Sequence, residues 1–187
     1  MKSLLKPLLV FILSIFTTFS VFAQSKNYSK DNSAIKIEGT SSLHDWHCDV
    51  NDVTGNADVT IDGDKVTAVN GLDLTFVVKG IKSGKGAMDK NIYSALKEKS
   101  NPTITFKSTS ATIDANGAVK AEGQLTIAGT TKDVTLLADA TVEGGKVKFE
   151  GKTTFNMSSY NVDPPTAMFG TITTGDEVTI DYSASFN

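Results

Sequence analysis

From residue 34 onward the chain alternates apolar and polar side chains in short runs rich in Thr and Val, broken by Gly, Asn and Asp. Alternation with period two sorts side chains onto the two faces of a strand, so each run predicts a half-buried β-strand. Ile35 and Ile37 oppose Lys36 and Glu38, and Ala57, Val59 and Ile61 lead into an Asp62-Gly63-Asp64 hairpin turn. Leu72, Leu74, Phe76 and Val78 form the clearest inward face of the first half. Asn116-Gly117 predicts a two-residue hairpin turn and Gly144-Gly145 another reversal. Val178, Ile180, Tyr182, Ala184 and Phe186 share the last inward face.

One stretch departs from period two. Met88, Ile92 and Leu96 recur every four residues, with Tyr93 and Ala95 beside them, which predicts a single amphipathic helix. Asn101-Pro102 is expected to stop it, and Thr103-Ile104-Thr105-Phe106 resumes the strand pattern. A Pro-containing connection over 158–174 carries Asp163-Pro164-Pro165 and Ala167-Met168-Phe169 before the last strand. Roughly eight strands in hairpin succession, each with one apolar face, need a second layer or closure on themselves. Closure also removes exposed edges, which favours an all-β, antiparallel, eight-stranded barrel over a two-sheet sandwich. The helix and the Pro-containing loop then belong near a barrel mouth. Such a barrel is filled by its own side chains or holds one small ligand.

The N-terminus sets the compartment. Lys2, Lys6, the apolar run 8–22 and Val21-Phe22-Ala23 read as a signal peptide over 1–23, with a retained anchor as the alternative. Residues 24–33 are polar and expected as a disordered lead-in, leaving 34–187 as the domain and a periplasmic or secreted location. Cleavage leaves 187 − 23 = 164 residues, enough for one sizeable core. The basic count falls from 18 to 16 against 21 acids, a formal charge of −5, and arginine is absent. That excludes a nucleic-acid face. The single Cys48 allows no internal disulfide, and its apolar neighbours make it an inert core thiol.

Leu43-His44-Asp45-Trp46-His47-Cys48 is the strongest invitation to metal chemistry. On a strand, however, His44 and His47 point to opposite faces, and His44 with Cys48 supplies only two ligands. No Gly-x-Ser-x-Gly occurs, and Gly84 and Gly86 lack dinucleotide-binding context. No enzyme activity, metal or cofactor is expected. The inward faces are apolar throughout, from Leu74, Phe76, Ile104 and Phe106 to Leu125, Ile127, Phe149, Phe155, Met157, Ile180 and Tyr182. Gly123, Ala138, Ala140, Gly151 and Ala184 fall among them. Small positions facing large ones give either close interdigitation or a channel, and alternation leaves both open.

Two runs carry a family resemblance. Met88-Asp89-Lys90-Asn91-Ile92-Tyr93 with Asn101-Pro102-Thr103-Ile104-Thr105-Phe106 resembles a helix-then-Pro-x-Ile-x-Phe junction. Glu122-Gly123-Gln124-Leu125-Thr126-Ile127-Ala128-Gly129-Thr130-Thr131-Lys132-Asp133-Val134 resembles a Gly-x-Leu-Thr-Ile-x-Gly-x-Thr-Lys strand and turn. Both are similar to the YceI-like family of polyisoprenoid-binding, lipocalin-like proteins, over most of 34–187. Where members carry a late polar element, often Asn-Arg, this chain reads Phe155-Asn156-Met157-Ser158-Ser159-Tyr160. The resemblance implies a lipocalin-like barrel holding an isoprenoid, an isoprenoid quinone or another long-chain amphiphile, without catalytic residues. Trp46, Leu74, Phe76, Ile104, Phe106, Phe149, Phe155 and Tyr182 would line the tail. Met88, Ile92, Tyr93 and Leu96 would gate one mouth, with Met168 and Phe169 as a second gate. A tail that gains about 0.8 kcal/mol per buried methylene must come from a membrane, which implies transient contact with a membrane surface. The rival readings are a small outer-membrane β-barrel and a solid barrel serving protein interaction or stress protection.

Overall fold

The computed structural model describes residues 23–187. The signal-peptide reading falls on residues 1–22, outside the described residues, apart from Ala23. The strands are β1 (Ala23–Ser41), β2 (Trp46–Val50), β3 (Val53–Asp62), β4 (Lys65–Val77), β5 (Ile81–Lys82) and β6 (Thr103–Ile113). They continue as β7 (Ala118–Ile127), β8 (Thr130–Glu143), β9 (Lys146–Asn156), β10 (Thr166–Ala167) and β11 (Ile172–Phe186). One helix, α1 (Gly86–Ala95), lies between β5 and β6. Eight strands close an antiparallel barrel in the order β1, β3, β4, β6, β7, β8, β9, β11 and back to β1.

Closure depends on the length of β1. Its first residues pair with β3 (Ala23 opposite Thr60) and its later ones with β11 (Ile37 opposite Ile180). The expectation of a disordered lead-in over 24–33 is therefore corrected: these residues belong to β1. Their polarity is no obstacle, because pairing the edge of β3 needs backbone groups rather than apolar side chains. A bulge separates the two registers, between Ser29 opposite Ser185 and Ala34 opposite Ser183. It is stitched by side chains: Ser33 Oγ donates to Ser29 O (2.7 Å) and accepts from Ser185 N (2.8 Å).

The two ends of the barrel differ. At the base the connections are tight hairpins. Gly144 and Gly145 both take left-handed φ (56° and 78°), the twist a two-residue hairpin requires. The Asn116-Gly117 reversal is longer than the expected two-residue turn. Asp114 supplies the reason, since its Oδ1 accepts from Asn116 N (2.8 Å) and Ala118 N (2.9 Å), which also holds its pKa below the ordinary value. Above these turns sits a packed core of Ala57, Val59, Val119, Ala121, Val147, Phe149, Ala184 and Phe186. Phe186 packs edge-on against Tyr28 (5.9 Å) and Phe149 (5.8 Å).

At the top β7 and β8 still join tightly through Ala128-Gly129, but the other connections are longer: 42–45, 78–102 with α1, and 157–171. The helix stops earlier than Asn101-Pro102 would dictate. Lys97 enters the left-handed region (φ 53°), Lys97 N bonds Ser94 O (3.1 Å) and Glu98 N bonds Tyr93 O (2.9 Å). That is a Schellman ending, formed locally before the proline can act. Pro102 instead serves the strand entry, where its carbonyl accepts from Val78 N (2.9 Å).

The outer face of the barrel is charged, with ion pairs such as Lys152–Asp181 (2.6 Å) and Lys120–Glu122 (2.8 Å), while the inside is apolar. An outer-membrane barrel needs an apolar exterior band, the inverse of this arrangement.

Candidate functional site

Above the packed base the barrel encloses a cavity of about 490 Å³, open towards the top. The volume lies within the range of about 300–1,000 Å³ usual for small-molecule sites. Its wall is almost wholly apolar. Trp46, Leu74, Phe76, Ile104, Phe106, Phe149, Phe155 and Tyr182, the tail-lining expectations, all face it. They converge because inward positions of neighbouring strands stand side by side, as with Leu74 opposite Phe106 and Phe76 opposite Ile104.

Glycines set how the rings lie. Any Cβ on Gly123 would meet the Phe106 ring at 2.7 Å, and one on Gly151 would meet the Tyr182 hydroxyl at 2.7 Å. Gly39, directly opposite Trp46, leaves no room for a side chain under the indole. The rings therefore lie flat on bare backbone instead of crossing the lumen, so interdigitation and a channel coexist. The polar ends of the rings are occupied. Trp46 Nε1 donates to Thr40 O (2.9 Å), and Tyr182 Oη donates to Leu137 O (2.8 Å). Burial pushes the Tyr182 pKa up to about 12, and raises that of buried Tyr160, which meets Phe155 edge-on at 5.3 Å.

The helix lies over the cavity. None of its residues is buried, yet Met88, Asn91 and Ile92, with Leu96 at its C-cap, face the lumen. Tyr93 turns the other way, correcting its place among the gate residues. Its hydroxyl accepts from Lys82 Nζ (2.7 Å) and shares its proton between Lys79 O and Ile81 O (both 3.1 Å). The Lys82 ammonium also sits 5.3 Å from the ring centre. At the other end Asp89 Oδ1 accepts from Ser83 N (2.8 Å) and Ser83 Oγ (2.6 Å), bonds that hold the carboxyl pKa below its ordinary value. Lys97 Nζ reaches Asn161 O (3.2 Å) in the facing connection. Tyr93 anchors the helix to residues 79–82.

Met168 and Phe169, expected as a second gate, do not line the cavity; they are 70% and 110% exposed. Left-handed backbone at both (φ 50° and 57°) turns them outward, and Pro165, Thr166 and Ala167 border the lumen instead. Sequence reasoning missed Tyr160, Val162 and Asn91, which also line it. Tyr160 ends and Val162 follows a 3₁₀ turn over Met157–Tyr160, where no strand or α-helix period applies. Ile37 and Ile180 shared the alternation and could have been named.

His47, on β2, faces the solvent, whereas His44 lies at the cavity rim in the 42–45 connection and not on a strand, so strand parity does not govern the pair. Among the described residues no three His, Cys, Asp or Glu side chains group as a metal site. Cys48 is 1% exposed, and burial, then the Asp89 and Asp49 charges, push its pKa up to about 12.

A family model for the YceI-like domain matches residues 27–186. Several solved structures share the fold. BcnA of Burkholderia cenocepacia aligns with a TM-score of 0.70 at 19% identity, covering 84% of this chain and 98% of its own. A polyisoprenoid binding domain from Saccharophagus degradans, implicated in plant cell wall breakdown, gives 0.66 at 8% identity, covering 87% and 97%. The YCEI protein of Campylobacter jejuni gives 0.59 at 20%, covering 74% and 82%. No curated protein sequence matches.

Proposed function

The chain belongs to the YceI-like domain family, and from that premise we propose that it carries or sequesters an isoprenoid-type amphiphile inside its barrel. A polyisoprenoid or an isoprenoid quinone fits this chemistry, and the compartment is the periplasm or the medium. The supporting observation is the apolar cavity of about 490 Å³ under a helix with no buried residue. A tail leaving a bilayer exchanges one hydrocarbon surrounding for another, so transfer is nearly balanced and reversible. That suits a carrier. The polyisoprenoid binding of the Saccharophagus degradans domain supports the ligand class. No catalytic step is proposed.

The test is native mass spectrometry of gently purified protein with organic extraction, alongside quenching of the sole Trp46 by a short-chain quinone. A co-purifying apolar ligand and saturable quenching are expected. Consistently empty protein together with unquenched Trp46 overturns the reading.

A further inference from the structure

Five large apolar side chains stand exposed among the described residues, and three of them, Leu43 (65%), Met168 (70%) and Phe169 (110%), lie on loops at the open end. The 42–45 loop is tied to the start of β11, where the 157–171 loop ends, by Ser42 N to Thr173 O (2.9 Å) and Thr173 N to Ser42 Oγ (3.1 Å). Met168, Phe169 and Gly170 take left-handed φ in succession (50°, 57° and 87°), a conformation that non-glycine side chains rarely adopt. The result is a tip that projects Phe169 entirely into solvent. Residues 164–175 carry no charged side chain. The tip adjoins the site, because Leu43, Pro165, Thr166 and Ala167 border the cavity.

We propose that this tip inserts into the surface of a phospholipid bilayer and presents the open end of the barrel to it. The inference rests on the carrier reading above, since a bilayer is the source of such a ligand. A protein partner fits less well. Large side chains bury roughly 150–250 Å² each, so three fall short of the about 800 Å² each partner gives to a stable interface. The 164–175 loop carries no charge and the neighbouring 42–45 loop carries Asp45 and no lysine, which with a net charge of −3 on the chain points to a zwitterionic surface rather than an anionic one. Apolar insertion into the headgroup boundary supplies the binding.

The experiment is cosedimentation of the protein with phosphatidylcholine vesicles. Wild type is expected to bind, Phe169→Asp to bind about tenfold less, and Leu137→Asp, on the barrel flank, to match wild type. Phe169 is fully exposed, so its replacement spares the core. Phe169→Trp should show fluorescence quenched by brominated acyl chains. Quinone loading separates the two readings: Phe169→Asp should load from detergent micelles as wild type does, yet about tenfold more slowly from vesicles. Equal vesicle binding by wild type and Phe169→Asp overturns the tip, as does a concentration-dependent dimer that this substitution abolishes. Failure of every variant to load from micelles defeats the carrier reading, while vesicle binding still judges the tip.

Discussion

The base and the top of this barrel are built by the same strands with the same alternation, yet the base is a packed floor and the top a cavity under a cover. On β7, Val119 and Ala121 belong to the packed base and floor the cavity while Leu125 stands on the wall above; on β9 the floor residue Phe149 gives way to the wall residues Thr153 and Phe155. Apolar content does not separate the two ends. What differs is how each is closed. At the base, tight hairpins pull the strands together, and Ala57, Ala121 and Ala184 leave room for Phe149 and Phe186 to fill the axis. At the top, rings lie flat against Gly39, Gly123 and Gly151, and a helix with no buried residue covers the opening, only Ala95 and the C-cap Leu96 packing against the small Ile127, Ala128, Tyr160 and Val162 cluster. A barrel becomes a container where its large side chains hug the wall and its connections, rather than its core, form the cap.

The sharpest way to break this comparison is to delete one ring from each end. Phe186→Ala removes a fully buried ring held by two aromatic neighbours and should cost about 3–5 kcal/mol in urea unfolding. Phe76→Ala, on the half-buried cavity wall, loses only part of the transfer term, on the order of 1–2 kcal/mol, while weakening quinone quenching of Trp46. Equal losses at the two sites would mean that the top is as tightly packed as the base.

The next effect comes from overfilling the hollow end. Gly151→Val must displace the Tyr182 ring and disturb its bond to Leu137 O, costing about 1–3 kcal/mol. The displaced ring enters the lumen, so quinone uptake should fall as well. Retention of both stability and uptake would show that the wall glycines do not hold the channel open.

These glycines also mark where sequence reading stops. The eight strands, the lone helix and the eight wall residues were legible because alternation records which way a side chain points. It does not record what occupies the space beyond. Gly123 and Gly151 read as small inward residues, and only the close approach of the Phe106 and Tyr182 rings to them shows that the rings lie down. Residues 24–33 were misread because strand pairing there rests on backbone groups, with Tyr28 as the single apolar anchor, too little for a period-two signature. Tyr93 fell beside the gate face by spacing alone, and its hydroxyl bonds decide that it points to the 79–82 strap.

The lid carries a smaller prediction. Tyr93→Phe removes one shared hydroxyl anchor, worth about 1 kcal/mol, and should speed ligand release about fivefold. The urea midpoint should hardly move, since α1 has no buried residue. Ile92→Asp with Leu96→Asp should likewise weaken retention and leave the β fold intact. The Asp89 anchor has an acid limit. Its folded pKa is depressed, so its contribution is complete above the unfolded value of about 3.9 and fades as pH falls through the lower folded value. Release should accelerate only in that acidic window. Unfolding of the whole domain by the double substitution would make the helix part of the core.

The smallest effect asks whether the hollow end is also a loose one. Cys48 lies on the cavity wall, yet it is only 1% exposed. Its pKa, pushed up to about 12, keeps the thiol protonated and unreactive at neutral pH. Because the folded value lies above the unfolded one of about 8.5, this group's contribution to stability is complete below pH 8.5 and declines as pH climbs towards about 12. An aromatic disulfide reagent at pH 8 should leave the folded protein unlabelled and modify it fully in urea. Tyr93→Phe should raise the folded-state labelling rate by no more than its effect on ligand release, about fivefold, if the lid is the sole route to the wall. Rapid labelling of the wild-type protein without denaturant would mean that the wall itself opens, and that the cavity is a soft region rather than a rigid container with a hinged cover.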